Sequence, residues 1–484
     1  MNTAHSFSKA ELIEILEKCI NKTLGSVDKN RIFERTKQNQ KITGIAGDVI
    51  EQSVLGLPSD NKQRPDLNVD GVLTELKSTG IRISKKNSSR YEAKEPMSIT
   101  AVSPNDIVNE EFNSSNFWHK LEHMLLVYYL YSSPTTVPAA AYADFPIKGY
   151  QFHMFSEDDK LALEADWELV RDFIIELQKA FEDYKKEYPR ISSELRDRLF
   201  MIDTAPKWPN PPRFRLKRSV VTGIIQSHFG NCLEQLPGRY ISYKDIDNKC
   251  RDLTFNYRGY TVSELINHFG IVNKTINKAI CEQVVVRMFD GHAKKMQKIE
   301  LFQKIGMIGK TVTLTQNALS TEDMKFVPID FNELNDPNID FEDSLFREVF
   351  NNVHILCIIF EEPNRKAALR KNVFIGFKRI VFSDEFIDNH VKPIWEKSRR
   401  LIFDGTLIDE VETDNHGNPI INKNGTVRSA PNFPKSKEGI VFIRGSGSDS
   451  LNKPEVVNDI KMYKQYLWIK GTYIAERISQ TEFL

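Results

Sequence analysis

Apolar and polar positions follow two alternating rhythms along this chain. Ser8-Lys-Ala-Glu-Leu-Ile-Glu-Ile-Leu16 places its apolar residues on one helical face. It opens with Ser followed three residues later by Glu, a capping box that satisfies free amides at a helix start. Thr261-Val-Ser-Glu-Leu-Ile-Asn-His-Phe269 repeats both features. Gly47 to Glu51 reads as helix, and Phe155-Ser-Glu-Asp and Phe382-Ser-Asp-Glu each lead into a helix carrying a tryptophan, Trp167 and Trp395. Strand periodicity appears in Leu73-Thr-Glu-Leu-Lys77, where Glu75 and Lys77 share one face and Leu76 takes the other. The longest apolar run, Met124 to Tyr131, is strand-sized. It falls far short of the roughly 20 residues that span a membrane. An Asn/Gly-rich stretch, 413–438, predicts a mobile loop.

These elements recur in order. Besides the two capped helices, Val49-Ile-Glu-Gln-Ser-Val54 resembles Ile280-Cys-Glu-Gln-Val-Val285. The stretch from Met97 to Tyr131 matches that from Met324 to Phe360, and Phe214-Arg-Leu-Lys-Arg218 with its following apolar residues matches Tyr466 onward. The two Trp-bearing helices complete the series. A period above 200 residues means duplicated domains rather than a solenoid. The pattern therefore predicts two tandem α/β domains, residues 1–232 and 245–484, each a central mixed sheet flanked by helices. Glu234-Gln-Leu-Pro-Gly238 is the expected joint.

Composition narrows the class only a little. The 484 residues are 40% hydrophobic and 27% charged, ordinary for a globular chain. Five scattered cysteines without a CxxC pair argue against a disulfide framework or a cysteine zinc site, and point to a reducing cytoplasm. The N-terminus lacks the basic start and small-residue cleavage site of a signal peptide. With 66 basic and 66 acidic side chains the net charge is zero, so contact with nucleic acid must come from local basic patches.

The sharpest chemical signal is Arg64-Pro-Asp66 followed by Glu75-Leu-Lys77. Two carboxylates and a lysine that converge suit a hard cation such as Mg²⁺. Such a cation neutralises a phosphodiester and lowers the pKa of an attacking water. An adjacent lysine can orient that water and stabilise developing charge. Between Thr204 and Cys232 there is no acidic residue, and Lys207, Arg213, Arg215, Lys217 and Arg218 interleave with Trp208 and Phe214. That interleaving fits a DNA-contacting loop and strand. His119-Lys-Leu-Glu-His123 also matches the HxxEH pattern of inverted zinc metallopeptidases. The strand-like run that follows at once leaves no sustained helix for it.

Together these motifs resemble the MutH-like endonucleases, which include the mismatch-repair nickase and the tandem-domain type II restriction enzymes that cut at GATC. The resemblance rests on Pro65-Asp66, Glu75-Leu76-Lys77, the helix ending at Glu51, and His119-Lys120-Leu121. It extends through Asp158-Asp159 to Asp166-Trp167, and through Pro206-Lys207 to the basic strand Phe214–Arg218. It implies that Asp66 and Glu75 ligate Mg²⁺, Lys77 acts on the nucleophilic water, Glu51 completes the acidic site and Lys120 assists at the phosphate. The family places seven residues from the Asp to the Glu, whereas Asp66 and Glu75 stand nine apart. Either the intervening turn is longer or Asp70 takes the ligand role; the Pro-Asp context favours Asp66.

In the second copy, Glu75-Leu-Lys77 aligns with Ile308-Gly-Lys310, and His119-Lys120 falls against Arg347-Glu348. An Ile cannot ligate Mg²⁺. The second copy is expected to bind DNA without cutting it, using basic residues such as Arg428, Lys435 and Arg444, and to activate the first. The resemblance implies a type II restriction endonuclease that cuts double-stranded DNA at GATC and leaves 5′-phosphate ends. It also implies two recognition sites per active complex, oligomerisation on DNA and a cognate methyltransferase in the host. A mismatch-repair nickase and a non-cutting DNA-binding protein are the alternatives.

Overall fold

The computed structural model describes residues 5–484 except 40–41, 60–63, 85–86, 206–209, 232, 273–275, 316, 318–321, 365, 415, 423 and 448–450. The chain divides into two compact units. One comprises Met1–Ser133, Val137–Ile246 and Phe289–Met307; the other comprises Pro134–Thr136, Asp247–Met288 and Ile308–Leu484.

The first unit is built on strands β1 (His5–Phe7), β2 (Leu67–Val69), β3 (Val72–Ser84), β4 (Asn87–Ala93), β6 (Met124–Leu130) and β7 (Ile147–His153), in the order β1-β2-β3-β6-β7 with β4 also on β3. β3 runs parallel to β6 and β7 antiparallel to it, so the sheet is mixed. The first five residues of β6 are all buried, as its unbroken apolar run demands. Full burial of each such side chain contributes about 1.5–3 kcal/mol. One sheet face, with Leu76, Leu125 and Val127, packs on the capped helix Lys9–Glu17 and its neighbours through Leu12, Leu16, Val49 and Ile50. A smaller antiparallel sheet joins β5 (Met97–Ala101), β8 (Ile202–Ala205) and β9 (Arg213–Leu216), with β9 central. The helix Arg218–His228 follows β9 directly.

The second unit repeats the plan. β10 (Met307–Leu314), β12 (His354–Glu361) and β13 (Val373–Ile380) form one sheet in that order. β11 (Met324–Pro328) and β16 (Val441–Gly445) flank β19 (Gln465–Ile469) in a second, antiparallel throughout. The helix Gly471–Gln480 follows β19 as Arg218–His228 follows β9. Both expected capping boxes form, at Ser8/Glu11 and Thr261/Glu264.

Three details differ from the reading of the sequence. The division is not a single cut between 232 and 245, because 289–307 packs with the first unit. Glu234 N–H donates to the Lys298 carbonyl (3.0 Å), Glu300 N–H donates to the Glu234 carbonyl (2.9 Å), and Lys304 pairs with Asp159 (2.8 Å). The expected joint at 234–238 is thus a docked segment. The stretch 413–438 carries regular pairing: β14 (Asp409–Val411) meets β15 (Ser429–Pro431), and two turns close on the bridges Thr413–Pro419 and Ile421–Val427. Those turns contain Gly417 and Gly425 at φ +83° and +82°, where a side chain would be strained. β17 (Glu455–Val457) and β18 (Ile460–Met462) add a further ribbon. Finally, the equivalent of Ser115 is Ser344: each caps a short helix and donates its hydroxyl to a Phe carbonyl three residues back. Buried Phe117 then matches Phe346, so Lys120 falls opposite Val349 rather than Glu348. The lysine is absent from the second copy in either register.

Candidate active site

A two-residue hairpin turn, Asp70-Gly71, joins β2 to β3, with φ +49° and +90°. Asp-Gly is the pair that such a turn selects, because both positions need positive φ. The register pairs Leu67 with Thr74 and Val69 with Val72, which carried one step further sets Asp66 opposite Glu75. Directly opposite residues of an antiparallel pair share a face, so the hairpin brings Asp66 and Glu75 together across nine residues of chain. Asp70 instead sits in the turn, where its carboxylate accepts the backbone N–H of Lys9 (3.1 Å) at the start of the capped helix. Asp66, at the other end, accepts the backbone N–H of Leu76 (3.0 Å).

Glu75 is 1% exposed. Lys77 Nζ lies 2.7 Å from its Oε1, and Lys120 Nζ lies 2.9 Å from the same oxygen. Lys120 arrives from the short helix Asn116–His119, capped by Ser115, with Phe117 and Trp118 buried beneath it. That helix ends before β6 begins at Met124, so His119 and His123 share no helical face and the HxxEH arrangement does not form. Glu51 lies on a π-helical turn, Val49–Val54, that continues the short helix Ile45–Asp48. Gly47 allows this helix to approach β3: a Cβ there would stand 3.3 Å from Ser78 Oγ and 4.0 Å from Glu51 Oε1.

The electrostatics follow from this crowding. Burial, then the charges of Asp66, Asp48 and Glu75, push the Glu51 carboxyl up to about 7, against the pull of Lys77. Burial and the Glu75 charge also raise Asp66, opposed by the Leu76 amide and by Lys77 and Lys120. Meanwhile Glu75 Oε2 is buried without a hydrogen-bond partner. A bare carboxylate oxygen beside two carboxyls held above their ordinary range fits a hard cation, which would satisfy the oxygen and relieve the repulsion. Among the described residues no three His, Cys, Asp or Glu side chains close to metal-holding distance. Lys77 and Lys120 both set their positive charge against Glu75 Oε1.

The basic residues after Thr204 divide sharply. Lys207 lies outside the described residues. Arg213 is exposed. Arg215 forms a two-pronged bond to Asp203 (2.7 and 3.0 Å). Lys217 is 2% exposed and donates to the Leu199 carbonyl. Arg218 donates to the Ala93 carbonyl (2.7 Å) and to Glu92 (3.3 Å). Beside them Asp166 accepts three backbone amides, from Phe200, Met201 and Ile202, while burial raises its carboxyl to about 6. Arg215, Lys217 and Arg218 therefore hold β8, β9 and the helix after them in place. In the second unit Arg428 pairs with Glu412 (2.7 Å), Lys435 with Glu410, and Arg444 with Asp323 (2.9 Å) while stacking on Trp468. Ile308 packs against that unit's core. Residues the sequence reading passed over include Asp203, one position outside the acid-free window, and Arg35, Asp48 and Gln52 around Glu51.

Two comparisons with known proteins place the chain beside DNA-cutting enzymes. Residues 55–166 match the family model described as "DNA mismatch repair enzyme MutH". The span contains Asp66, Glu75, Lys77 and Lys120 and stops short of Glu51. The chain is 24% identical to the type II restriction enzyme Sau3AI of Staphylococcus aureus, across 92% of this chain and 94% of that one.

Proposed function

We propose that this chain is a MutH-like endonuclease with two tandem domains, a type II restriction enzyme making Mg²⁺-dependent double-strand cuts at GATC. The products would carry 5′-phosphate and 3′-hydroxyl ends. One observation carries the reading. The pair of lysines on a buried Glu75, with Asp66 and Glu51 beside it, occurs in the first half, while Ile308 and Val349 stand at the matching places in the second.

In this reading Asp66 and Glu75 would hold Mg²⁺, and Glu51 would complete its acidic surroundings. The bound cation would supply charge neutralisation at the phosphate and a more acidic water. The ammonium groups of Lys77 and Lys120, 2.7 and 2.9 Å from Glu75 Oε1, would face the scissile phosphate beside the cation. Lys77, on the strand beside Glu75, is placed to orient the attacking water. Lys120, from the opposing helix, is placed to stabilise charge on the phosphate oxygens. Arg213 and the segment holding Lys207 would contact duplex DNA. Arg215, Lys217 and Arg218 would support them from behind.

The division of roles, a catalytic first half (1–232, with 289–307 packed on it) and a binding second half (the rest of 245–484), follows the same logic. The second domain, through Arg428, Lys435 and Arg444, would grip a second recognition site and favour the cutting state of the first, which requires the two DNA-bound states to differ in stability. Oligomerisation on DNA and a host methyltransferase that protects GATC belong to the proposal. A mismatch-repair nickase would share the first site, but a relative matched over both halves supports the restriction reading. No helix among the described residues is long and apolar enough to cross a membrane. Glu75→Ala should abolish cutting while duplex binding in EDTA stays within a few-fold of wild type. Retained cutting would end the proposal.

A further inference from the structure

The two copies of the Glu-Gln motif have nearly the same sequence and different backbones. Val49-Ile-Glu-Gln-Ser-Val54 is a π-helical turn. Ile280-Cys-Glu-Gln-Val-Val285 lies within a regular α-helix, Lys278–Met288. A single wide turn inside a helix costs hydrogen-bond quality and persists where neighbours hold it, frequently at functional sites.

Those neighbours are visible here. Ser53, 5% exposed, donates its hydroxyl to Asp28 Oδ1 (2.6 Å) and accepts the Asn30 N–H (3.0 Å). Asn30 Nδ2 donates to the Gln52 carbonyl (2.5 Å). Arg35 donates to Gln52 Oε1 (2.8 Å) and to Asp48 Oδ2 (3.0 Å). Asp28 is itself fixed by the Phe33 N–H (2.9 Å). The residues on both sides of Glu51 in the chain are thus tied to one segment, 28–35, and the Glu51 carbonyl accepts the Leu57 N–H (2.9 Å).

Two parts of this clamp have no counterpart in the sequence of the second copy. Val284 stands where Ser53 stands and offers no hydroxyl. Between the capped helix and the Glu-Gln motif the first copy has 31 residues (18–48) and the second has 11 (269–279). The extra length contains Asp28, Asn30 and Arg35.

We propose that segment 28–35 is a clamp that holds the π-turn open and so aims Glu51 at the metal-binding carboxylates, making Ser53 and Arg35 positioning residues. The proposal rests on the reading of Glu51 given above. Widening the helix at this turn rotates the following residues relative to a regular helix. Releasing Ser53 would let the turn relax toward the α-helix of the second copy and swing the carboxylate away.

The test uses the full chain carrying Ser53→Val, the residue found in the second copy. Single-turnover cleavage should slow about tenfold or more, with duplex affinity in EDTA within twofold of wild type. Mn²⁺ binding to the free protein, read by electron paramagnetic resonance, should weaken in parallel. In a Glu51→Gln background the same change should reduce neither cleavage nor Mn²⁺ binding further, because the group it positions is already gone. Arg35→Gln, at a side chain 43% exposed, should reproduce the pattern more mildly and stands in if Ser53→Val fails to fold. Wild-type cleavage and Mn²⁺ affinity in these variants would overturn the clamp. So would equal losses with and without the Glu51 carboxylate, which mark general destabilisation. Full activity in Glu51→Gln alone would overturn the assignment of Glu51 itself, and the clamp with it.

Discussion

Glu51 makes the strongest case for a group whose charge works against the fold. Its carboxyl is held at about 7 by burial first and by Asp66, Asp48 and Glu75 next. A group raised from an ordinary 4.5 is neutral in both folded and unfolded chains below about pH 4.5, so it contributes nothing there. As pH climbs toward 7 the unfolded chain loses its proton first, and the folded state is progressively penalised. Above about 7 the penalty is complete. At about 1.4 kcal/mol per pH unit it would reach roughly 3 kcal/mol for a fully enclosed group. Glu51 is only partly buried, and water screens the repulsion, so a penalty on the order of 1–2 kcal/mol is the reasonable expectation. Glu51→Gln removes it. In EDTA at pH 8 the variant's first unit should melt about 2–6 °C above wild type, given the usual conversion for a domain of this size. At pH 4.5 or just above, the difference should nearly vanish. Mg²⁺ should then reverse the order at pH 8, since ligand binding stabilises only the protein that can hold it. Thermal melts followed by circular dichroism at two pH values, with and without Mg²⁺, measure all of this. A variant less stable than wild type at pH 8, or shifted equally at both pH values, would refute the reasoning.

Asp66→Asn should lower single-turnover cleavage at least 100-fold, the usual scale for losing one charge-stabilising group. Asp70→Asn should leave the rate within a few-fold, because the Asp70 carboxylate accepts the Lys9 N–H at the start of the first helix; comparable losses would return the ligand role to Asp70. Arg213→Ala should weaken duplex binding and reduce the salt slope by about one, as loss of a single phosphate contact does. Lys217→Ala should instead lower stability by about 1–3 kcal/mol, by orphaning the buried Leu199 carbonyl; unfolding and filter-binding curves separate the two outcomes. Ile308→Glu should not create a second cutting site, since no lysine answers at Val349. Residual cleavage by an Ile308→Glu, Glu75→Ala double variant would show otherwise.

Much of the site was legible because it is local. Strand alternation puts Glu75 and Lys77 on one face, and the Ser115 cap with its buried aromatics brings Lys120 to Glu75. The fold was legible because it occurs twice, and each copy supports the other. What escaped depends on partners distant in sequence. Lys217 and Arg218 look like DNA contacts until the Leu199 and Ala93 carbonyls are seen to claim them. Arg215 looked free because its partner, Asp203, lies one residue outside the basic window. The docking of 289–307 on the first unit turns on Glu234 and Lys304, which carry no sequence signature. Nor could periodicity distinguish a π-turn from an α-turn in two nearly identical segments, because tertiary hydrogen bonds decide between them.

The central claim is that the first domain cuts both strands of DNA at one short sequence. Digestion of a plasmid of known sequence, in Mg²⁺ and in EDTA and with Glu75→Ala as control, followed by mapping of the ends, tests it most directly. The account predicts linear fragments with 5′-phosphate ends at GATC, formed only by the unaltered protein with Mg²⁺. Nicked circles alone, cutting in EDTA, or equal cutting by Glu75→Ala would contradict it.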